Sequence, residues 1–218
     1  MSSIDAAVRE LRAGVAHWYT RPLWPGDFHN LDYRRWFEEN PRGEFSLEWW
    51  KPFRRTLHDW IAIRPLSYAA VTENLVSVLP DLSAAWKEAC EPVFDREISE
   101  VKWEKIEAFP KLVTAIKPTK YPTPVFTSKF CHFLLPRVFP VVDNEAMGGR
   151  WQRYEDYFRF VQDQWEATSP EDRDQMRRYL AGVIELTGSE VFDGFPMTNK
   201  LVELRIIGRR HRADASVS

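Results

Sequence analysis

The chain reads as an all-α protein. Three observations predict this: apolar residues recur at helical spacing in one segment after another, most of those segments begin or end at capping residues, prolines or glycines, and no run of six or more positions alternates apolar with polar as a half-buried strand would. The expected architecture is a single compact multi-helix domain of nine to eleven helices over residues 1–218, or two helical lobes joined by a proline-rich connection near 117–125.

The elements follow in order. Ile4, Val8, Leu11, Val15 and Trp18 form one helical stripe, which Ser2 or Ser3 can cap and which must stop before Arg21-Pro22, because the residue ahead of a proline avoids helical geometry. Residues 20–30 read as a loop, and a short helix from Asp32 turns Tyr33, Trp36 and Phe37 inward. Asn40-Pro41-Arg42-Gly43 is a turn. Ser46 starts a helix that Pro52 is expected to break, with Phe53, Leu57, Trp60 and Ile61 beyond it. Ser67 caps a helix carrying Tyr68, Val71, Leu75 and Val78, which Pro80 should end; Asp81 should cap the next. Residues 98–116 keep the helical period, with Pro110 dividing them. Residues 117–125 hold three prolines and read as stiff and extended.

Helix resumes near Phe126 and stops at Pro136, and Val138–Val142 is the nearest thing to a strand. Trp151–Trp165 forms another helix. Ser169-Pro170-Glu171-Asp172 is a strong start signal for a helix that Gly188 closes: a capping serine, proline at the first position, then acids against the helix dipole. Thr198 caps a last helix to about Gly208, and the tail 212–218 is expected to fray.

Composition limits the function classes. A net charge of −2 gives no global basic field, so a nucleic-acid site must be a local patch. Cys90 and Cys131 are too few for a disulfide framework, which fits a reducing cytoplasm. The N-terminus lacks the apolar run of a signal peptide, and no stretch has the length of a membrane span. No glycine occurs between Gly43 and Gly148, which removes a phosphate-cradling loop from the middle of the chain. His17, His29, His58, His132 and His211 show no metal-ligand spacing, so neither metal nor cofactor is expected. Ten tryptophans either fill the core or line a pocket that stacks a base or another ligand.

Residues 126–143, FTSKFCHFLLPRVFPVVD, carry the chemistry. The helix in this stretch is apolar on nearly every face and should be buried. Lys129 on it must snorkel outward or meet an acid, and Asp143 is the nearest acid that follows. A lysine on a helix, a proline-containing turn, then Phe139-Pro140-Val141-Val142-Asp143 ahead of another helix resembles the second half of the helix-hairpin-helix DNA glycosylases, over residues 119–145. The resemblance implies that Asp143 stabilises the cationic sugar as a damaged base leaves, and that Lys129 is the candidate for the lysine nucleophile of bifunctional members. Read from the residues alone, Asp143 is equally an N-cap for a helix starting at Asn144, with Glu145 in its first turn.

Lys120 and the C-terminal Lys200, Arg205, Arg209 and Arg210 are the candidate phosphate contacts, although cations at a helix C-terminus also suit its dipole. Three functions remain in view: a DNA-binding, glycosylase-like protein that excises a base; a non-enzymatic helical module binding a protein partner; and an aromatic-lined small-molecule site. No membrane association is expected, and the oligomeric state is unspecified.

Overall fold

The structure, a computed structural model, describes residues 4–64, 66–118, 123–143 and 151–215. Among them are ten α-helices and no strand: α1 (Ile4–Tyr19), α2 (Asn30–Glu38), α3 (Leu47–Asp59), α4 (Tyr68–Ala85), α5 (Trp103–Ile106), α6 (Ala108–Ile116), α7 (Val125–Leu134), α8 (Tyr154–Glu166), α9 (Pro170–Glu185) and α10 (Met197–Ala215). The all-α expectation holds. The region 138–142, the nearest strand candidate, is irregular backbone.

Local chemistry accounts for the helix starts. The hydroxyls of Ser46, Ser67 and Ser169 each accept a hydrogen bond from the backbone N–H three residues on, satisfying one orphan donor per helix. Pro170 occupies the first position of α9 as expected, and Gly188, at φ +81°, follows its end. The caps expected from Ser2 or Ser3, and a helix starting at Asn144, lie outside the described residues.

Three prolines behave differently from expectation. Pro52 lies inside α3 and does not break it; the carbonyl deprived of a donor is that of Glu48, on the exposed face. Pro80 does not end α4, which runs on to Ala85 and then through a π-turn over Trp86–Cys90. Val71, Leu75, Leu82, Ala85 and Trp86 are buried on both sides of this proline, and their burial outweighs a helix penalty of about 3 kcal/mol. Pro110 is the third residue of α6, where a backbone N–H has no helical partner to lose; the division falls at Glu107 instead.

The last helix corrects the sequence reading as well: α10 passes Gly208 and continues to Ala215. Gly208 is a packing residue rather than a stop. A Cβ there would lie 1.9 Å from the Glu10 carbonyl oxygen, and one on Gly14 would lie 1.9 Å from that of Leu204. The two glycines let α1 and α10 meet backbone to backbone.

The buried side chains form one contiguous cluster. Its centre is α7, in which every residue from Phe126 to Leu134 is buried, and which packs against α2, α3 and α6. Helices α8 and α9 join α1 around α10.

Candidate functional site

A cleft of about 780 Å³ opens where the loop after α1, the start of α2, the end of α3, α7, residues 141–143 and the first turns of α10 converge. Each piece has a local cause. The loop 20–26 is held to α1 by Trp18 Nε1, which donates to the Pro25 carbonyl at 2.8 Å, and by the Tyr19 hydroxyl, which donates to that of Gly26 at 3.0 Å. Helix α2 has His29 at its N-cap in left-handed geometry, and the buried Asp27 carboxylate does the capping, accepting from the backbone of His29 and Leu31.

The end of α3 is a Schellman turn: Ala62 N–H donates to Leu57 O, and Ile61 N–H to His58 O. The residue in the left-handed position is Ile61, at φ +57°, where glycine is the usual occupant. Of the four non-glycine residues with positive φ among the described residues, Phe28, His29 and Ile61 lie at this cleft or directly behind it, and only Arg42 lies elsewhere. Backbone strain of this kind persists where the surroundings enforce it, and it concentrates at functional sites.

The walls are aromatic. Trp18 and Trp24 stand with ring centroids 4.5 Å apart, and His29 and Trp60 face each other at 4.1 Å. Burial drops the His29 pKa to about 4 against the opposing hydrogen bond to Asp32 at 3.1 Å, so the imidazole is neutral near pH 7. At the rim, Leu23 is 92% exposed and Ile61 61% exposed, an apolar lip around a polar floor.

The floor holds two lysine–carboxylate pairs. Lys129, buried on α7, donates from Nζ to the Trp60 carbonyl at 2.7 Å and stands 3.6 Å from Asp143 Oδ2. Burial lowers its pKa, and Asp143 opposes that shift. Asp143 keeps 30% of its side chain exposed to the cleft. One turn into α10, Lys200 Nζ lies 2.6 Å from Glu203 Oε2, both side chains almost wholly buried. Burial raises the Glu203 carboxyl, and Lys200 pulls it back down.

The segment that presents Asp143 has no regular structure, and turn hydrogen bonds from Val138 and Phe139 to the Leu135 carbonyl satisfy only part of its backbone, so side chains take up further groups. Asn199 donates to the Pro136 carbonyl at 2.7 Å, and the Tyr154 hydroxyl to that of Pro140 at 2.7 Å. Ser128 Oγ on α7 accepts from Val142 N–H at 3.0 Å. His132 Nδ1 lies 2.6 Å from the Phe139 carbonyl, which can only accept, so Nδ1 carries the proton. Burial holds the His132 pKa at about 3. The segment is thus fixed from three helices, α7, α8 and α10, and Asp143 is placed with it.

The sequence-derived site residues fare unevenly. Lys129 and Asp143 are brought together. Lys200 belongs to this cleft and is buried, away from the basic surface of which the sequence made it a part. Arg205 bonds Glu10 and Thr168, and Arg209 bonds Gln164 and lies 3.7 Å from Glu10. Arg210 is exposed near His17, whose ring stacks on His211 at 3.5 Å, and Arg21 from the cleft lip approaches the same histidine. Lys120 lies outside the described residues. Sequence reasoning did not single out Trp18, Trp24, Trp60, His29 or Glu203 as site residues. The tryptophans are indistinguishable in sequence from the core tryptophans, and Glu203 sits at ordinary i,i+3 spacing from Lys200 on a helix face.

Among the described residues no group of three histidine, cysteine or acidic side chains could hold a metal ion, and no helix is long and apolar enough to cross a membrane. Comparison with protein-family models, curated proteins and solved structures finds no match.

Proposed function

We propose that the chain binds DNA and excises a base in the manner of the helix-hairpin-helix glycosylases, with the extruded base taken into the cleft. The observation that carries this reading is the Lys129–Asp143 pair on the floor of a tryptophan-walled cleft, with the carboxylate open to it. A base turned out of the stack needs an aromatic surface to replace its neighbours, and Trp24 and Trp60 offer one. As the bond between sugar C1′ and base nitrogen breaks, its electron pair leaves with the base and C1′ becomes cationic. Asp143 stabilises that charge until water adds at C1′ and loses a proton. Lys129, with Nζ engaged by the Trp60 carbonyl, orients the carboxylate; as a nucleophile it would first have to give up its proton, which its burial favours. Arg21 and Arg210, beside the His17–His211 stack, suit a phosphate at the cleft margin.

The test is binding to a labelled duplex, intact and with an abasic site, across a salt series, followed by assay of base release. Expected are binding that weakens with salt, preference for the abasic duplex, and base release lost in Asp143→Asn with binding retained. No binding at low salt refutes the reading. A small-molecule site is the second reading, supported by the cleft's volume, which falls within the usual range for such pockets.

A further inference from the structure

A second cavity, of about 410 Å³, lies beside the cleft. It is set between α3 and the start of α4 and is lined by Lys51, Arg54, Arg55, His58, Asp59 and Tyr68. Asp59 lines the aromatic cleft as well, so the two openings share an edge. Helix α3 is two-faced here. Trp50, Phe53 and Leu57 are buried on one side. Lys51, Arg54, Arg55 and His58 recur at i, i+3, i+4 and i+7 on the other, a row about 10 Å long.

The charge of this row is not used up inside the fold. Lys51 meets Glu48 at 2.7 Å, but both side chains are largely exposed, and such a pair is worth little in water. Asp59, the other nearby acid, lies 3.5 Å from His58. Arg55 is exposed, and among the described residues neither it nor Arg54 has a carboxylate within ion-pair distance. Arg54 is held by neutral groups instead. Its Nη1 donates to Thr72 Oγ1 at 2.9 Å, and its guanidinium lies 4.5 Å from the centroid of the Tyr68 ring, which His58 meets edge to face at 5.1 Å. Arg35, Arg137 and Arg159, by contrast, each bond a glutamate. An arginine fixed in place without a carboxylate keeps its charge for a partner from outside, and little side-chain freedom is left to lose when one arrives.

We infer that this face of α3 is the track for the sugar–phosphate backbone of the strand whose base enters the cleft. One strand of DNA carries a phosphate per ~3.4 Å of helix axis, so a row of about 10 Å spans roughly three. The row runs into Trp60 and Ile61, which wall the cleft, so a backbone lying along it brings the next nucleotide to that opening. The C-terminal arginines are less suited to this task, because Arg205 and Arg209 are already engaged by Glu10, Thr168 and Gln164. The inference rests on the DNA-binding half of the proposed function and is independent of base release.

The full chain is titrated into a labelled duplex with an abasic site across a salt series. Wild type is compared with Lys51→Gln/Arg55→Gln and with Arg177→Gln/Arg178→Gln, which removes two exposed cations from α9 instead. Lys51 and Arg55 are exposed, so their replacement leaves the core intact, and thermal unfolding checks this. A plot of log affinity against log salt loses about 0.9 of slope per phosphate contact removed, so the α3 variant should be shallower by roughly 2 and weaker on every sequence alike, while the α9 variant keeps the wild-type slope. Inorganic phosphate should displace the DNA no better than sodium chloride at the same ionic strength. An unchanged slope in the folded α3 variant, an equal loss in the α9 variant, or no DNA binding at low salt overturns the inference. Phosphate displacing the DNA through Lys51 and Arg55 overturns it too, in favour of a pocket for one anion. Base release with an unchanged slope in the α3 variant would sink this inference and leave the proposed function standing. A slope carried by α3 without base release would do the reverse.

Discussion

Two glycine-to-alanine substitutions in this fold should change stability in opposite directions. In α10, Gly208 faces α1 so closely that a Cβ would lie 1.9 Å from Glu10 O and 2.7 Å from Gly14 N. Both are backbone atoms, so no side chain can swing away. To reach ordinary contact the helices must part by about 1.5 Å, which loosens the packing along their shared face. Overpacking of this kind costs about 1–3 kcal/mol, and the gain in helix propensity, about 1 kcal/mol at most, offsets only part of it. In α9, Gly182 has nothing within 4 Å of its Cβ position, so alanine there should add about 0.5–1 kcal/mol. At roughly 2–4 °C per kcal/mol for a chain of this size, Gly208→Ala should melt several degrees below wild type and Gly182→Ala a few degrees above. Differential scanning calorimetry of the three proteins decides it. An unchanged or raised midpoint for Gly208→Ala would show that α1 and α10 do not meet backbone to backbone.

Two further outcomes follow from the same region. His29 and His132 are held at about 4 and about 3, below the usual histidine value near 6.5, so the unfolded chain binds more protons than the folded one between those limits; stability is full above about pH 6.5 and falls as pH drops, by up to ~1.4 kcal/mol per pH unit for each histidine. Urea midpoints from pH 7 to pH 4.5 measure this, and replacement of His29 by glutamine should make the slope shallower; a flat profile would mean that neither ring is buried neutral. Ile61→Gly relieves a left-handed isoleucine worth about 1–2 kcal/mol and loosens the unfolded chain by somewhat less, so a small net gain in thermal stability is expected, and a clear loss would place Ile61 outside the left-handed region.

The helices were legible where one cause acts locally. Serine caps, the proline at the start of α9 and apolar stripes need only neighbours within a turn or two. The prolines and Gly208 were misread because their cost or benefit is settled by what lies across the fold. Pro80 lies in a helix whose buried residues on both sides keep it helical through the proline, and Gly208 marks a close helix contact that is 198 positions away in sequence, at Glu10. A sequence shows the local penalty and hides the distant compensation.

The site divides along the same line. Lys129 and Asp143 could be paired in advance because a lysine on an all-apolar helix demands a partner and few acids lie near it in sequence. Lys200 looked like one cation among several near a helix end, and nothing local separates it from Arg205 or Arg209. Its neighbours separate it. Arg205 and Arg209 reach Glu10 and polar side chains on or just after α8, whereas Lys200 turns inward onto Trp18 and Tyr33. The strain at Phe28, His29 and Ile61 was hidden for a related reason, since left-handed geometry at non-glycine residues is enforced by tertiary packing and leaves no mark in composition. Features that the fold maintains against local preference, a buried lysine–carboxylate pair and three strained residues around one opening, are those a sequence reading passes over, and here they converge on a single cleft.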